Sequence, residues 1–299
     1  MPKTTAIRPR EPGHSHTQHF AGLAADSYGK ADRRPPLVLL HGLTFDRRVW
    51  RPVLEELRRI DPRRRVLVLD LPGHGESEDR PSYDMVGVVE AVHQAVQEAG
   101  LGAPVIVGHS IAGVIASVYA SQHPTRGVIN VDQTLQFAPF AQLLQSLADK
   151  IRGPGFAAVW PMFAASFHTE LLPQTAQDLV LANSHPRQEI VVGYWREVFD
   201  RPIAELIGQS EAGLAVVKAA ALPYLIVAGD DLEPGYRRWL EEVLPQATVI
   251  VWPRSGHFPH LAHPERFAKC LAATAQWSAD AAREAASPLP RGSDKRNGR

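Results

Sequence analysis

Six short apolar runs, each unbroken rather than alternating, constrain this chain most: Leu37–Leu40, Val66–Leu69, 105–107, 128–131, Tyr224–Ala228 and 248–252. An unbroken run of this length suits a strand covered on both faces, as inside a parallel sheet. Helical stripes lie between the runs. Val49, Val53, Leu57 and Ile60 form one. Residues 86–99 form a second, closed by Gly100. Ile111, Val114, Ile115 and Val118 form a third ahead of Pro124. Residues 235–244 and 264–281 supply two more. This alternation predicts an α/β fold, a mainly parallel sheet with helices on both faces.

One interval breaks the rhythm. From 137 to 222 no run of strand quality occurs, and the stretch is too long for a simple connection. Its Ala, Leu, Phe and Trp content predicts a helical insertion over the sheet, a cap or lid. The expected division is a core of 20–136 and 223–281, a lid of 137–222, and flexible tails at 1–19 and 282–299. His14, His16 and His19 in the first tail read as solvated, not as metal ligands. Arg58, Arg59, Arg63, Arg64 and Arg65 read as a solvated patch that suits a helix C-terminus.

Charge narrows the partners. The 32 Lys+Arg are balanced by 32 Asp+Glu, which gives no general attraction to nucleic acid or anionic membranes. A lone Cys270 excludes an intrachain disulfide framework and a Cys-rich zinc site. The apolar stretch 101–120 carries Pro104, His109, Ser110, Ser117 and Tyr119, which argues against a membrane span. The first residues lack the apolar core of a secretory signal, so the expected location is cytoplasmic. No phosphate loop or dinucleotide fingerprint occurs, so no cofactor is expected. The partner expected is a small-molecule substrate, with the oligomeric state open.

The chemistry concentrates at residues 105–113, Val-Ile-Val-Gly-His-Ser-Ile-Ala-Gly. An apolar strand runs straight into Ser110, and a helix starts directly after it. So sharp a turn strains the serine backbone and demands small neighbours two residues either side, here Gly108 and Ala112. It lifts the hydroxyl to a helix N-terminus, where negative charge is favoured.

In this arrangement the chain resembles the α/β-hydrolase superfamily, in particular its serine-nucleophile, lid-bearing esterase- or lactonase-like members. Three further segments carry the likeness across roughly residues 20–280. His41-Gly42 ends an early strand, Asp70-Leu-Pro-Gly-His-Gly-Glu-Ser77 follows the next, and Gly256-His257 follows the last. The resemblance implies Ser110 as nucleophile, His257 as base, and the N–H groups of Leu43 and Ile111 as oxyanion donors. His41, His74, His109, His260 and His263 compete for the base. His109 is expected to pack into the elbow, and His260 and His263 to cap a helix or lie at the surface.

The first choice for the acid is Asp132, with Asp230 or Asp231 as the alternatives. Asp132 ends the strand at 128–131, where dehalogenase-like and lactonase-like branches place theirs. Asp230 and Asp231 follow the next strand, but the usual position there is Leu232. Ser110 rather than aspartate at the elbow argues against dehalogenase and epoxide hydrolase chemistry. Hydrolysis of a moderately apolar ester or lactone is expected. Carbon–carbon bond hydrolysis, cofactor-free perhydrolysis and a non-catalytic receptor remain alternatives. Phe137, Phe140, Phe156, Met162 and Phe167 are candidate pocket residues, and Trp160, Phe163, Tyr194 and Trp195 are singled out for substrate binding.

Overall fold

The structure, a computed structural model, describes residues 17–277. Its strands are β1 (Gln18–Phe20), β2 (Leu23–Tyr28), β3 (Leu37–Leu40), β4 (Val66–Leu69), β5 (Val105–His109), β6 (Gly127–Val131), β7 (Tyr224–Ala228) and β8 (Ala247–Val251). Its helices are α1 (Arg51–Ile60), α2 (Met85–Glu98), α3 (Ile111–Gln122), α4 (Ala138–Ser146), α5 (Ala148–Arg152), α6 (Phe156–Ala165), α7 (Gln174–Ala182), α8 (Gln188–Asp200), α9 (Ile203–Ala219), α10 (Pro234–Val243), α11 (Pro259–Ala262) and α12 (Pro264–Ala273).

The strands form one sheet in the order β1-β2-β4-β3-β5-β6-β7-β8. The pairings of β1 with β2 and of β2 with β4 are antiparallel, and all others are parallel. Side chains alternate across the sheet with period two. Val38, Leu40, Ile106, Val128 and Ile226 face a layer that includes Val92 of α2, Ile115 of α3 and Val217 of α9. Leu37, Leu39, Val107, Ile129 and Val227 face Val53 of α1 and Phe267 of α12. Both faces are buried, which is why these strands read as unbroken apolar runs.

Register places the chemistry. Leu40 pairs with Gly108, His109 with Val131, and Val131 with Val227. The C-terminal ends of β3, β5, β6 and β7 therefore finish side by side, and the loops after them converge on one edge.

Four findings differ from the sequence reading. Strands β1 and β2 carry only the short apolar run 23–25: Leu23, Ala24 and Ala25 are buried, but Gln18 and His19 are exposed and Asp26 and Ser27 are half-buried. Gln18–Phe20 is thus a strand where a flexible arm was expected; residues 1–16, with His14 and His16, lie outside the described residues, as does the 282–299 tail. Ile60 and Val86 are exposed, so the first two helical stripes are shorter than their apolar lettering. Arg64 is buried rather than solvated, and its Nη2 donates to Thr274 Oγ1 at 2.6 Å. Burial lowers its pKa to about 10. The helix expected over 264–281 is α12, followed by a 3-10 turn at Thr274–Gln276; beyond 277 it falls outside the described residues.

Between β6 and β7 the described chain forms helices α4 to α9 and one 3-10 turn, Thr169–Leu171, without a strand. Helix α9 packs against α3, so the end of this interval belongs to the helix layer of the sheet. Among the described residues no helix is long and apolar enough to cross a membrane.

Candidate active site

Strand β5 delivers Ser110 into φ 56°, ψ −133°. An L-residue is strained there by about 1–3 kcal/mol, so the surroundings must hold it. They do so from both sides. Ser110 N–H donates to Val131 O at 3.0 Å, and Gly113 N–H donates to Ser110 O at 2.6 Å. A Cβ on Gly108 would stand 1.9 Å from Ala112 O, so only glycine fits two residues before the serine. Ala112 needs no such exemption: its methyl is buried in the core on the α3 side.

The chain leaves β6 at Asp132, itself at φ 53°. Aspartate tolerates that conformation better than most residues. Its carboxylate is held at two points. Oδ1 accepts from Gly229 N–H at 2.7 Å, beyond the end of β7. Oδ2 accepts from His257 Nδ1–H at 2.8 Å, in the loop after β8. That loop turns at Gly256, whose φ is 53° and whose Cβ, if present, would stand 2.7 Å from the carbonyl oxygens of Phe167 and His168. His257 N–H donates to Phe167 O at 2.9 Å, and the Phe167 ring stacks on the imidazole at 5.1 Å. The structure thus brings together Asp132 and His257. Asp230 and Asp231 are exposed, and the Asp230 carboxylate accepts from Asp231 N–H instead.

The turn after β3 lies beside the elbow. Phe45 N–H donates to Gly42 O at 3.2 Å, and Thr44 has φ 71°, which makes Leu43 the second residue of a four-residue turn. Its N–H has no acceptor among the described residues, nor has that of Ile111 at the first position of α3. Two unspent N–H groups near a serine can hold a developing oxyanion.

Of the competing histidines, His41 and His74 are committed elsewhere. His41 Nδ1–H donates to Gly42 O at 2.8 Å while Nε2 accepts from Leu71 N–H at 3.0 Å. His74 Nδ1–H donates to Pro72 O at 3.0 Å while Nε2 accepts from Thr44 N–H at 3.1 Å. Each imidazole staples the β3 loop to the β4 loop, one from either side. His260 was expected at a cap or the surface; it is fully buried against Trp50, and neither ring nitrogen has a partner. His263 precedes α12 but makes no side-chain cap bond, and its ring meets Trp252 edge-on.

Burial keeps these rings neutral. It lowers the pKa of His41 to about 4, and those of His74 and His260 to about 3. Unfolding returns each ring to water, where it protonates below about 6.5. The unfolded chain then binds more protons than the fold. Stability is complete above about pH 6.5 and is lost as pH falls from there toward 4. His109 is equally buried and held neutral, so with four protons taken up the expected slope is about 5 kcal/mol per pH unit near pH 5. Denaturant melts between pH 7 and 4.5 measure it, and His260→Phe reduces it by about one quarter. A flat profile over that window is incompatible with neutral buried rings.

The aromatic residues of the helical interval divide into two groups. Trp160, Phe163 and Trp195 pack on one another and on Phe140, with centroids 5.4–6.3 Å apart. Tyr194 is a strut: its hydroxyl donates to Pro72 O at 3.0 Å, and its ring stacks on Tyr83. Phe167 covers His257, a contact that nothing in the sequence signals. A cleft of about 850 Å³ lies beside the Thr44 turn, lined by Arg47, Arg48, Asp70 and Glu76 among others; Ser110, Asp132 and His257 do not line it. Its buried Arg47 is already paired with Asp70 and Glu76.

A strained serine at the end of one parallel strand, with a histidine–aspartate pair in the loops after neighbouring strands, points to a class of protein. The profile of the Alpha/beta hydrolase family matches residues 37–269, and the chain belongs to that family. It is 27% identical over 252 residues to a pimeloyl-[acyl-carrier protein] methyl ester esterase from Nitrosomonas europaea, covering 79% of this chain and 94% of that one. The E-2-(acetamidomethylene)succinate hydrolase structure aligns with TM-score 0.67 and 18% identity, over 87% of this chain and 99% of that one. A thermophilic esterase from Thermogutta terrifontis aligns with TM-score 0.63 and 22% identity, over 84% and 92%. The two solved structures share the fold.

Proposed function

We propose that this α/β hydrolase cleaves a moderately apolar carboxylic ester or lactone through an acyl-enzyme on Ser110. The observation that carries the reading is the 2.8 Å bond from His257 Nδ1–H to Asp132 Oδ2. In the neutral ring it makes Nε2 the acceptor and fixes the imidazole, as a base requires. Support also comes from the curated relatives, which are named as methyl ester esterases.

In the proposed cycle Ser110 Oγ attacks the carbonyl carbon while its proton passes to His257 Nε2. The oxyanion rests on the N–H groups of Leu43 and Ile111. Collapse expels the alcohol, which takes the proton from His257. Water then enters by the reverse route and frees the acid and Ser110. Helices α4 to α8 act as the lid, with Phe167 shielding the base.

Rapid mixing with a short-chain p-nitrophenyl ester tests this. A burst of p-nitrophenol close to one equivalent per enzyme, followed by slower turnover, is the expected trace when deacylation limits. Acyl transfer to hydroxylamine, with faster turnover, accompanies it. Failure to hydrolyse any ester in a panel of acyl lengths sinks the reading.

A further inference from the structure

The mechanism leaves His109 unused, yet its imidazole lies between the His257 loop and the turn after β3. It is fully buried. Its Nε2–H donates to the carbonyl oxygen of His257 at 2.7 Å. Its own backbone is the last residue of β5, directly before Ser110. On its other side lies the turn after β3: a Cβ on Gly42 would stand 2.9 Å from His109 Nδ1 and 3.1 Å from Ser110 Cβ. The rings of His257, Phe258 and His260 pack around it with centroids 4.8, 5.0 and 4.7 Å away.

Packing alone does not explain an imidazole here. Phenylalanine fills a similar volume and costs no buried polar atom. His109 Nδ1 is buried without a partner, which is expensive by about 1–3 kcal/mol. What histidine alone adds is the bond to the His257 carbonyl. That bond is short and spans 148 residues of sequence. The backbone of His257 itself has two anchors, Phe167 O on the lid side and His109 Nε2 on the elbow side. The first comes from an insertion, the second from the nucleophile strand itself.

We infer that His109 is a positioning residue that fixes the base loop, the nucleophile elbow and the oxyanion turn in one register. The inference deepens the serine-hydrolase reading and rests on it for its kinetic consequence. The acceptor carbonyl dictates the Nε2–H tautomer. Burial, with His260 and His257 close by, holds the ring neutral. Loss of the bond lets the His257 backbone shift, and the imidazole loses alignment with the serine before it loses its place.

Two variants and two readouts test this. In His109→Phe, kcat for a p-nitrophenyl ester falls about 30-fold with KM unchanged, because misalignment penalises the chemical step rather than binding. In the same variant the proton NMR resonance of His257 Nδ1–H, bonded to Asp132, moves or broadens. His109→Gln keeps a donor at a similar reach and restores kcat to within about fivefold of wild type. A His109→Phe enzyme with wild-type kcat and an unmoved resonance overturns the proposal. So does a His109→Gln enzyme as impaired as His109→Phe. If the wild-type protein turns over no ester, the esterase reading fails, and the resonance comparison still decides the role of His109.

Discussion

Asp132→Asn lowers kcat by about 10⁴-fold, whereas Asp230→Asn and Asp231→Asn stay within about twofold of wild type. The direction of the effect follows from Gly229. Its N–H donates to one carboxylate oxygen of Asp132 and requires an acceptor there. An asparagine at 132 satisfies it with the carbonyl oxygen and must turn its NH₂ toward His257. The imidazole then accepts at Nδ1 and carries its proton on Nε2, the tautomer that cannot take a proton from Ser110. Size and burial barely change, so the fold survives. Steady-state kinetics on the three variants separate the candidates. Near-full activity in Asp132→Asn, or collapse in Asp230→Asn or Asp231→Asn, reassigns the acid.

Ser110→Ala is expected to cost about 10⁵-fold or more in kcat at little cost in stability. Alanine keeps the Cβ and inherits the same φ of 56°, so no new strain enters. What remains is the oxyanion turn and the binding surface, which alone give a small residual rate over water. Single-turnover assays with thermal melts on the same protein show whether activity and stability part company. An alanine variant that still gives a p-nitrophenol burst removes Ser110 from the mechanism.

The core of the fold was legible because parallel strands advertise themselves. Leu37–Leu40 and Tyr224–Ala228 are buried on both faces and carry no charged residue. β1 and β2 were not legible, since their buried part is only Leu23 to Ala25 and the rest of both strands is largely polar. Gly108 and Ala112 announced the elbow through the absence of side chains. Sequence alone left Asp230 and Asp231 as alternatives to Asp132, because all three end or follow strands. Only the fold shows the Asp132 carboxylate reaching the ring of His257, 125 residues away. His260 misled for a related reason: a polar residue near a helix start suggests a cap, while its burial comes from Trp50 and Phe267, distant in sequence. Phe167 sits in a stretch with no periodicity to distinguish it from its aromatic neighbours.

The proposed chemistry stands on a hydroxyl made nucleophilic by its setting. A fluorophosphonate probe reports that property directly, since it reacts covalently with an activated serine and leaves ordinary hydroxyls alone. Peptide mapping of the labelled wild-type chain should place one phosphonyl group on Ser110, with no label in Ser110→Ala and much slower labelling in His257→Ala. A label on another residue, or an enzyme that hydrolyses esters yet takes up no probe, contradicts it.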